Sequence, residues 1–397
     1  MTIFIYSNFS VLPSQYLFDS INIYFRIICV VFMVVFFQPE FLMKNLKIVH
    51  CAYFKTINLR GCFWAGMAYK LNNGLSRLGH NVVSFNDRDV HRAMSWFGAK
   101  TPFSIRKTNE CFLKYCLDIV PDAIILGHAD IISADTLLKI REKIPHIKII
   151  QWNVDCINPY AEMGNHNIRN ITSKLDAVDF TLITTADKKL YERFEPQKHI
   201  IGFIPNPVDK SIENVRAFEN PHPDYDLLFA ASPVKLREFA DKMCYGKEIA
   251  DFLKRKAPQN KFLFPKIYDP AINGAAYFDT FQKSASVLNL SVINHDYLYS
   301  SDRMAHAMGC GCLTYINRRT GFNDLFGEDE AAFFSSTDEL LEKIEFYRTN
   351  TKQRSWVAQR GWKHYHELFN ELIVGKYIAD LITDNFNSQD FPFPTIG

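Results

Sequence analysis

From Leu46 onward, short runs of β-branched and aliphatic residues alternate with stretches of helical period, and this alternation limits the fold more than any single motif. The apolar runs are Leu46–His50, Asn81–Phe85, Ala123–Leu126, Lys148–Trp152, Phe180–Thr184 and His199–Ile204. Between the first two, Ala65–Leu78 carries helical spacing and stops at Gly79, a residue suited to a helix C-cap. Strands that alternate with helices predict a parallel sheet covered on both faces, because each parallel connection needs a crossover. The rhythm breaks at Ile204-Pro205-Asn206-Pro207-Val208-Asp209, where paired prolines can neither continue a helix nor sit inside a sheet; Pro221 and Pro223 follow. A second series starts at Asp226, with strands expected at Leu227–Ala231, Lys261–Phe264, Ser286–Leu290, Cys312–Ile316 and Ala331–Phe334. Helices are expected between them, including Leu236–Arg255 and Asp338–Arg348. Open α/β sheets bind ligands at the carboxyl ends of their strands, so two such domains predict a cleft with one ligand held by each half.

A chain of 397 residues also exceeds what one core ordinarily supports. The boundaries follow as an apolar tail at 1–42, a first α/β domain at 43–208, a linker at 209–224, a second α/β domain at 225–370, and a C-terminal helix and tail at 371–397, the helix returning to brace the first domain. Lys and Arg number 45 against 43 Asp and Glu, a net charge of +2, and this balance argues against a dedicated nucleic-acid binder while leaving room for a local basic pocket. The nine cysteines form no Cys-x-x-Cys pair, and Cys310-Gly-Cys312 has the wrong spacing for a zinc knuckle. Reduced thiols in a cytoplasmic protein are the expectation. Ile27–Phe37 is an unbroken apolar run, shorter than the about 20 residues a membrane span needs, and no small-x-small cleavage site follows it. Residues 1–42 therefore read as an upstream extension or a weak membrane anchor.

The densest chemical signal lies in the second domain. A strand ends at Ser291, and Ser300, Ser301 or Asp302 can cap a short helix running to Gly309, with Gly311 leading into the next strand. Arg303 stands in the first turn of that helix, where the dipole opposes a cation unless an anion lies in front; the conflict points to a diphosphate site. Lys235 and Arg237 follow the domain's first strand, and Lys266 follows its second, all at the edge facing the cleft. In the first domain the same edge carries Arg60-Gly61, then His128 and Asp130, then Asp155. His128 or Asp155 is the expected general base or orients an acceptor hydroxyl, with Arg60, Gly61 and Asp130 also on the acceptor side. Asp87-Arg-Asp89 imitates a metal-holding Asp-x-Asp, but is equally a turn former. His366-Glu367 lacks the second His of a zinc-protease motif, and no Gly-x-Gly-x-x-Gly or phosphate-loop Gly-Lys-Ser/Thr occurs. No bound metal and no resident cofactor are expected.

Leu288-Asn289, Arg303, Ala307, Gly311, Leu325-Phe326 and Asp338–Tyr347 together resemble the C-terminal half of GT-B glycosyltransferases of group 1, in particular the group that includes spore maturation proteins. Ile204–Asp209 is similar to the domain junction of such enzymes, and Asp226–Arg237 to the strand and loop that open their nucleotide domain. The resemblance implies a GT-B-like fold of two doubly wound Rossmann-like domains facing across a cleft. It also implies a hexosyltransferase-type reaction, in which a sugar passes from a nucleotide-diphosphate donor to a glycan or lipid-linked acceptor hydroxyl without a metal. Cell-envelope glycan synthesis in the cytoplasm, at the inner membrane face where the acceptor is lipid-linked, is the implied setting, with peripheral membrane contact. Donor-binding residues carried over are Lys235, Arg237, Ser300, Ser301, Arg303, His306, Gly309 and Gly311. The sequence departs from the family at His306, where a glutamate that holds donor hydroxyls is expected. That departure supports one rival, a non-catalytic nucleotide-sugar-binding member; Asp87 and Asp89 keep a second in view, a metal-dependent transferase, and another two-domain α/β enzyme such as a nucleotide-sugar epimerase is a third.

Overall fold

The computed structural model describes residues 45–54, 56, 64–95, 99–194, 198–239 and 241–396. The expectations for residues 1–42 and for Arg60 and Gly61 concern positions outside the described residues.

The first sheet is parallel throughout, built from β1 (Lys47–Ala52), β2 (Asn81–Phe85), β3 (Ala123–Gly127), β4 (Lys148–Asn153), β5 (Phe180–Ile183) and β6 (Ile200–Phe203) in the order β2-β1-β3-β4-β5-β6. Crossovers run through α1 (Met67–Arg77), α2 (Asp87–Ala93) and α3 (Pro102–Ile119), α4 (Ala134–Lys143), α5 (Gly164–Thr172) and α6 (Lys188–Tyr191). β1 and β3 are buried along almost their whole length, so they read as apolar runs rather than as alternating patterns. Phe112, Cys116, Leu137 and Ile140 cover one face of this sheet; Met67, Leu71 and Leu75 cover the other.

The second sheet is also parallel. It contains β7 (Leu227–Leu228), β10 (Phe262–Leu263), β11 (Ser286–Asn289), β12 (Leu313–Asn317) and β13 (Ala332–Phe334), ordered β10-β7-β11-β12-β13. Its helices are α7 (Gly246–Lys256), α8 (Ala275–Gln282), α9 (Asp302–Gly309), α10 (Thr337–Thr349) and α11 (Thr351–Leu368). An antiparallel hairpin, β8 (Leu236–Phe239) with β9 (Lys242–Tyr245), stands apart from the sheet. The helix expected over Leu236–Arg255 is thus corrected: its first half is this hairpin. Leu236-Arg-Glu-Phe239 and Lys242-Met-Cys-Tyr245 pair across a turn in which Asp241 adopts φ 61°, and helix begins only at Gly246. Glu248 accepts the Tyr245 N–H at 2.7 Å and fixes that start.

The last helix, α12 (Glu371–Ile382), packs on α1 of the first lobe. A Cβ on Gly74 would lie 2.0 Å from the Glu371 carbonyl oxygen, so only glycine permits this approach. Phe391 and Phe393 add their rings to the same core, and Ile396 bridges to Gly202 at the β6 edge.

Candidate active site

In the second lobe the order β10-β7-β11 reverses the direction of winding at β7, and a crevice opens outside the carboxyl ends of β7 and β11. A pocket of about 540 Å³ occupies this point. Ala230, Ala231 and Ser232 after β7, Lys235 and Arg237 at the start of the hairpin, Lys266 after β10, and Asp302 and Arg303 opening α9 all contribute to its wall. Four cationic side chains from three separate chain segments therefore converge there.

The two arginines are held without any carboxylate partner. Arg237 Nη1 donates to the Leu290 carbonyl at 2.8 Å, and Arg303 Nη1 donates to the same oxygen at 3.1 Å. Arg303 Nε donates to the Ala230 carbonyl at 2.8 Å, while Arg237 Nε is buried with no acceptor. Neither guanidinium forms an ion pair among the described residues. Burial pulls Arg237 down to about 9, helped by the positive charge of Arg303, with Tyr299 opposing. Arg303 is also lowered by burial, against weaker pulls from Tyr277, Tyr299 and Asp302. Two like charges sharing one neutral acceptor cost energy unless an anion completes the site.

The remaining donor-side candidates do not reach the pocket wall. Ser301 caps α9 by accepting the Met304 N–H at 3.4 Å. Ser300 is buried; its hydroxyl accepts the Asn206 N–H at 2.9 Å and its carbonyl accepts Asn206 Nδ2 at 3.0 Å, tying the junction to α9. His306 points away from the pocket: it is 1% exposed and its Nδ1 lies 2.6 Å from Glu213 Oε1. Gly309 and Gly311 are packing positions, where a Cβ would strike Val208 and the Phe218 ring respectively, and Gly311 also has φ 75°.

At the carboxyl edge of the first sheet, β3 ends in two consecutive non-glycine residues with positive φ, His128 at 62° and Ala129 at 39°. This kink turns the imidazole so that Nδ1 meets Asn153 Nδ2 at 3.3 Å and Nε2 lies 3.8 Å from Asp155 Oδ2. Burial lowers the His128 pKa, and the carboxylates of Asp155 and Asp130 only partly oppose it. Asp130 is held by Arg88 at 2.5 Å and by Asn170 at 3.0 Å; burial raises it, but Arg88 and His128 bring it below the usual carboxylate range. Asp155 itself is largely exposed. Lobe contact runs close by. Tyr299 donates to the Val154 carbonyl at 3.2 Å, and its deeply buried hydroxyl is near enough to Asp155, Arg303 and Arg237 for all three to act on its titration, which burial pushes far up. Tyr299 thus ties the second lobe to the first beside Asp155, within electrostatic reach of both arginines.

Asp87 and Asp89 both lie in the first turn of α2. Asp87 is buried, accepts the Ile131 N–H at 3.3 Å and is raised by desolvation; Asp89 faces Asn86 and Arg92. They point into different surroundings, and among the described residues no group of three His, Cys, Asp or Glu side chains is arranged to hold a metal. His366 is buried with Nε2 3.0 Å from the Gly309 carbonyl. The described cysteines are all free. No helix among the described residues is long and apolar enough to cross a membrane.

Residues 242–370 match the family model described as glycosyl transferase-like. No curated protein matches the chain in sequence. Among solved structures, sucrose-phosphate synthase from Thermosynechococcus elongatus is similar at 11% identity with a TM-score of 0.55, over 85% of this chain and 98% of that one. A glycosyltransferase from Rickettsia africae gives 12% identity and a TM-score of 0.54, over 86% and 100%. HepE of Anabaena, solved in complex with UDP and glucose, gives 11% and 0.53, over 85% and 99%. The two lobes of this chain, each a doubly wound Rossmann-like sheet facing a common cleft, have the GT-B fold of glycosyltransferases.

Proposed function

We propose that the chain is a nucleotide-sugar-dependent glycosyltransferase of hexosyltransferase type that works without a metal ion. The observation that carries this reading is the pair of buried Arg237 and half-buried Arg303, which meet at the switch point of the second sheet with no ion-pair partner among the described residues. HepE, of the same fold, is solved with UDP and with UDP-glucose, which supports a nucleoside diphosphate as the missing anion. As the glycosidic bond breaks, charge develops on the departing diphosphate. Fixed guanidinium groups in the pocket stabilise that charge more than they stabilise the ground state. Lys235 and Lys266 at the wall add to the field, which is the task a divalent ion performs elsewhere.

On the opposing lobe, His128 is neutral near pH 7 because burial disfavours its charged form, so it can accept the proton of an acceptor hydroxyl, with Asp155 beside it to favour the imidazolium that results. A glycan or lipid-linked acceptor at the cytoplasmic side of the envelope suits this arrangement. The test is binding of UDP, GDP, ADP and TDP by calorimetry, followed by sugar transfer in the presence of a chelator. At least one diphosphate binds, Arg303→Ala loses that binding by about 100-fold or more, and activity survives the chelator. Absence of heat with all four nucleotides refutes the reading; loss of activity in chelator refutes its metal-independent part.

A further inference from the structure

His306, an α9 side chain outside the pocket wall, leads to a buried polar cluster that joins the lobes. Glu213, in the segment after the junction, accepts from three directions. Its Oε1 lies 2.6 Å from His306 Nδ1 of α9 and 2.5 Å from Lys70 Nζ of α1, and its Oε2 accepts the Asp209 N–H at 2.8 Å. The side chains of Lys70 and Glu213 are 0% exposed and that of His306 1%. Lys70 also donates to the Pro207 carbonyl at 2.9 Å. Burial disfavours the Glu213 carboxylate, yet Lys70 and His306 bring its pKa below the ordinary value.

Lys70 is the first of three residues at helical spacing on α1 that grip the junction. Asn73 donates to Asp209 at 2.7 Å, and Arg77 donates to Asp209 at 2.8 Å and to Glu371 at 2.5 Å. On the other side, His306 stands three residues after Arg303 on α9, and its ring packs edge-on against Tyr277, which lines the arginine pocket, at 5.5 Å between centroids. A short helix moves as a rod, so whatever fixes His306 also fixes the direction of Arg303.

We propose that Glu213 is a positioning residue: through His306 it aims α9 and the Arg303 guanidinium, and through Lys70 it makes that aim depend on the first lobe. Diphosphate binding and the arrangement of the lobes are then coupled through one carboxylate. The inference rests on the reading of the pocket as a diphosphate site. A purely structural ion cluster would lower stability and leave ligand discrimination alone, so the decisive readout is the ratio of affinities for a nucleoside diphosphate and its own nucleoside.

Full-length protein is first titrated with UDP, GDP, ADP and TDP, and the tightest of these is carried forward with its nucleoside. In Glu213→Gln and Lys70→Met, the diphosphate Kd rises about tenfold or more while the nucleoside Kd changes less than about twofold, because only the phosphate end meets Arg303. Glu213→Asp, with the charge kept, recovers part of the loss. Equal losses for both ligands, or an unchanged ratio in a folded variant, overturn the proposal. Hydrogen exchange on the wild-type chain decides the matter if the variants do not fold. The diphosphate, but not the nucleoside, then protects the amides of residues 67–77 and 208–213, and protection confined to the second lobe overturns the coupling. A wild-type chain that binds none of the four diphosphates brings down the pocket reading itself, an outcome distinct from a bound ligand with no coupling.

Discussion

Replacing Arg237 by methionine should stabilise the empty protein and abolish its response to nucleotide. Arginine ordinarily titrates above about 12, and burial holds Arg237 at about 9. At about 1.4 kcal/mol for each tenfold in the proton equilibrium, keeping this charge in the fold costs roughly 5 kcal/mol at neutral pH. The sign follows from a folded-state value lowered for a base: the penalty is full below pH 9 and fades as the pH rises through that value toward the arginine range. Methionine removes the charge at similar length but gives up the hydrogen bond to Leu290, worth about 1.5–3 kcal/mol for a charged donor. The Leu290 oxygen is not orphaned, since Arg303 still donates to it at 3.1 Å. The net gain is then about 2 kcal/mol. With about 2 cal/mol/K of unfolding entropy per residue, a chain of this length should melt about 3 °C higher. The assay is a thermal scan with and without UDP, GDP, ADP or TDP. In the wild type, a diphosphate at about 100 times its Kd adds about 2.7 kcal/mol and a further few degrees; in Arg237→Met that shift disappears. A variant that melts lower than wild type, or keeps the ligand shift, refutes the idea that Arg237 is a strained charge awaiting an anion.

Three further outcomes follow from the geometry. Gly74→Ala puts a methyl group into the Glu371 carbonyl, forces α1 and α12 apart and should cost about 2–4 kcal/mol in urea unfolding. His50 is buried between Asn72 and Trp152, and desolvation lowers it to about 4, with the Asn72 hydrogen bond opposing. The stability this neutral ring allows is present above pH 6.5 and is lost as the pH falls toward 4, by roughly 3 kcal/mol; a His50→Gln chain compared at pH 7 and pH 4.5 should lose correspondingly less. Asp155→Asn should lower turnover about 100-fold or more while moving the melting temperature by less than about 1 °C, because the carboxylate is 61% exposed and supports only His128; unchanged turnover removes it from the site.

The parallel sheets are legible because most of their strands, the edge strand β2 apart, are buried on both faces and stand out as apolar blocks. Ala123–Leu126 and Lys148–Trp152 were read within a residue of β3 and β4. The β8–β9 hairpin was not. Gly246–Lys256 has a true helical face, and its period runs back into Leu236–Tyr245, where only the short alternation about Asp241 signals strands. On the second lobe, Lys235, Arg237 and Arg303 share one wall because strand ends and helix starts meet at a switch point, a relation that topology makes readable. Which way His306 faces was not readable, since its partner Glu213 lies 93 residues away and Lys70 farther still. Ser300, Gly309 and Gly311 went the same way: each looked like ligand chemistry, and each serves the packing of the junction.

The return of residues 371–396 to the first lobe sets the order in which this molecule can be made. A ribosome that has finished β1 through β6 has released a sheet whose α1 side still lacks part of its cover, because the helix and phenylalanines that pack beside α1 are the last to be translated. The half made first is completed last. Until then its exposed flank is a place for a chaperone to hold, and a nonsense codon near the 3′ end of the message would injure the lobe encoded at the start.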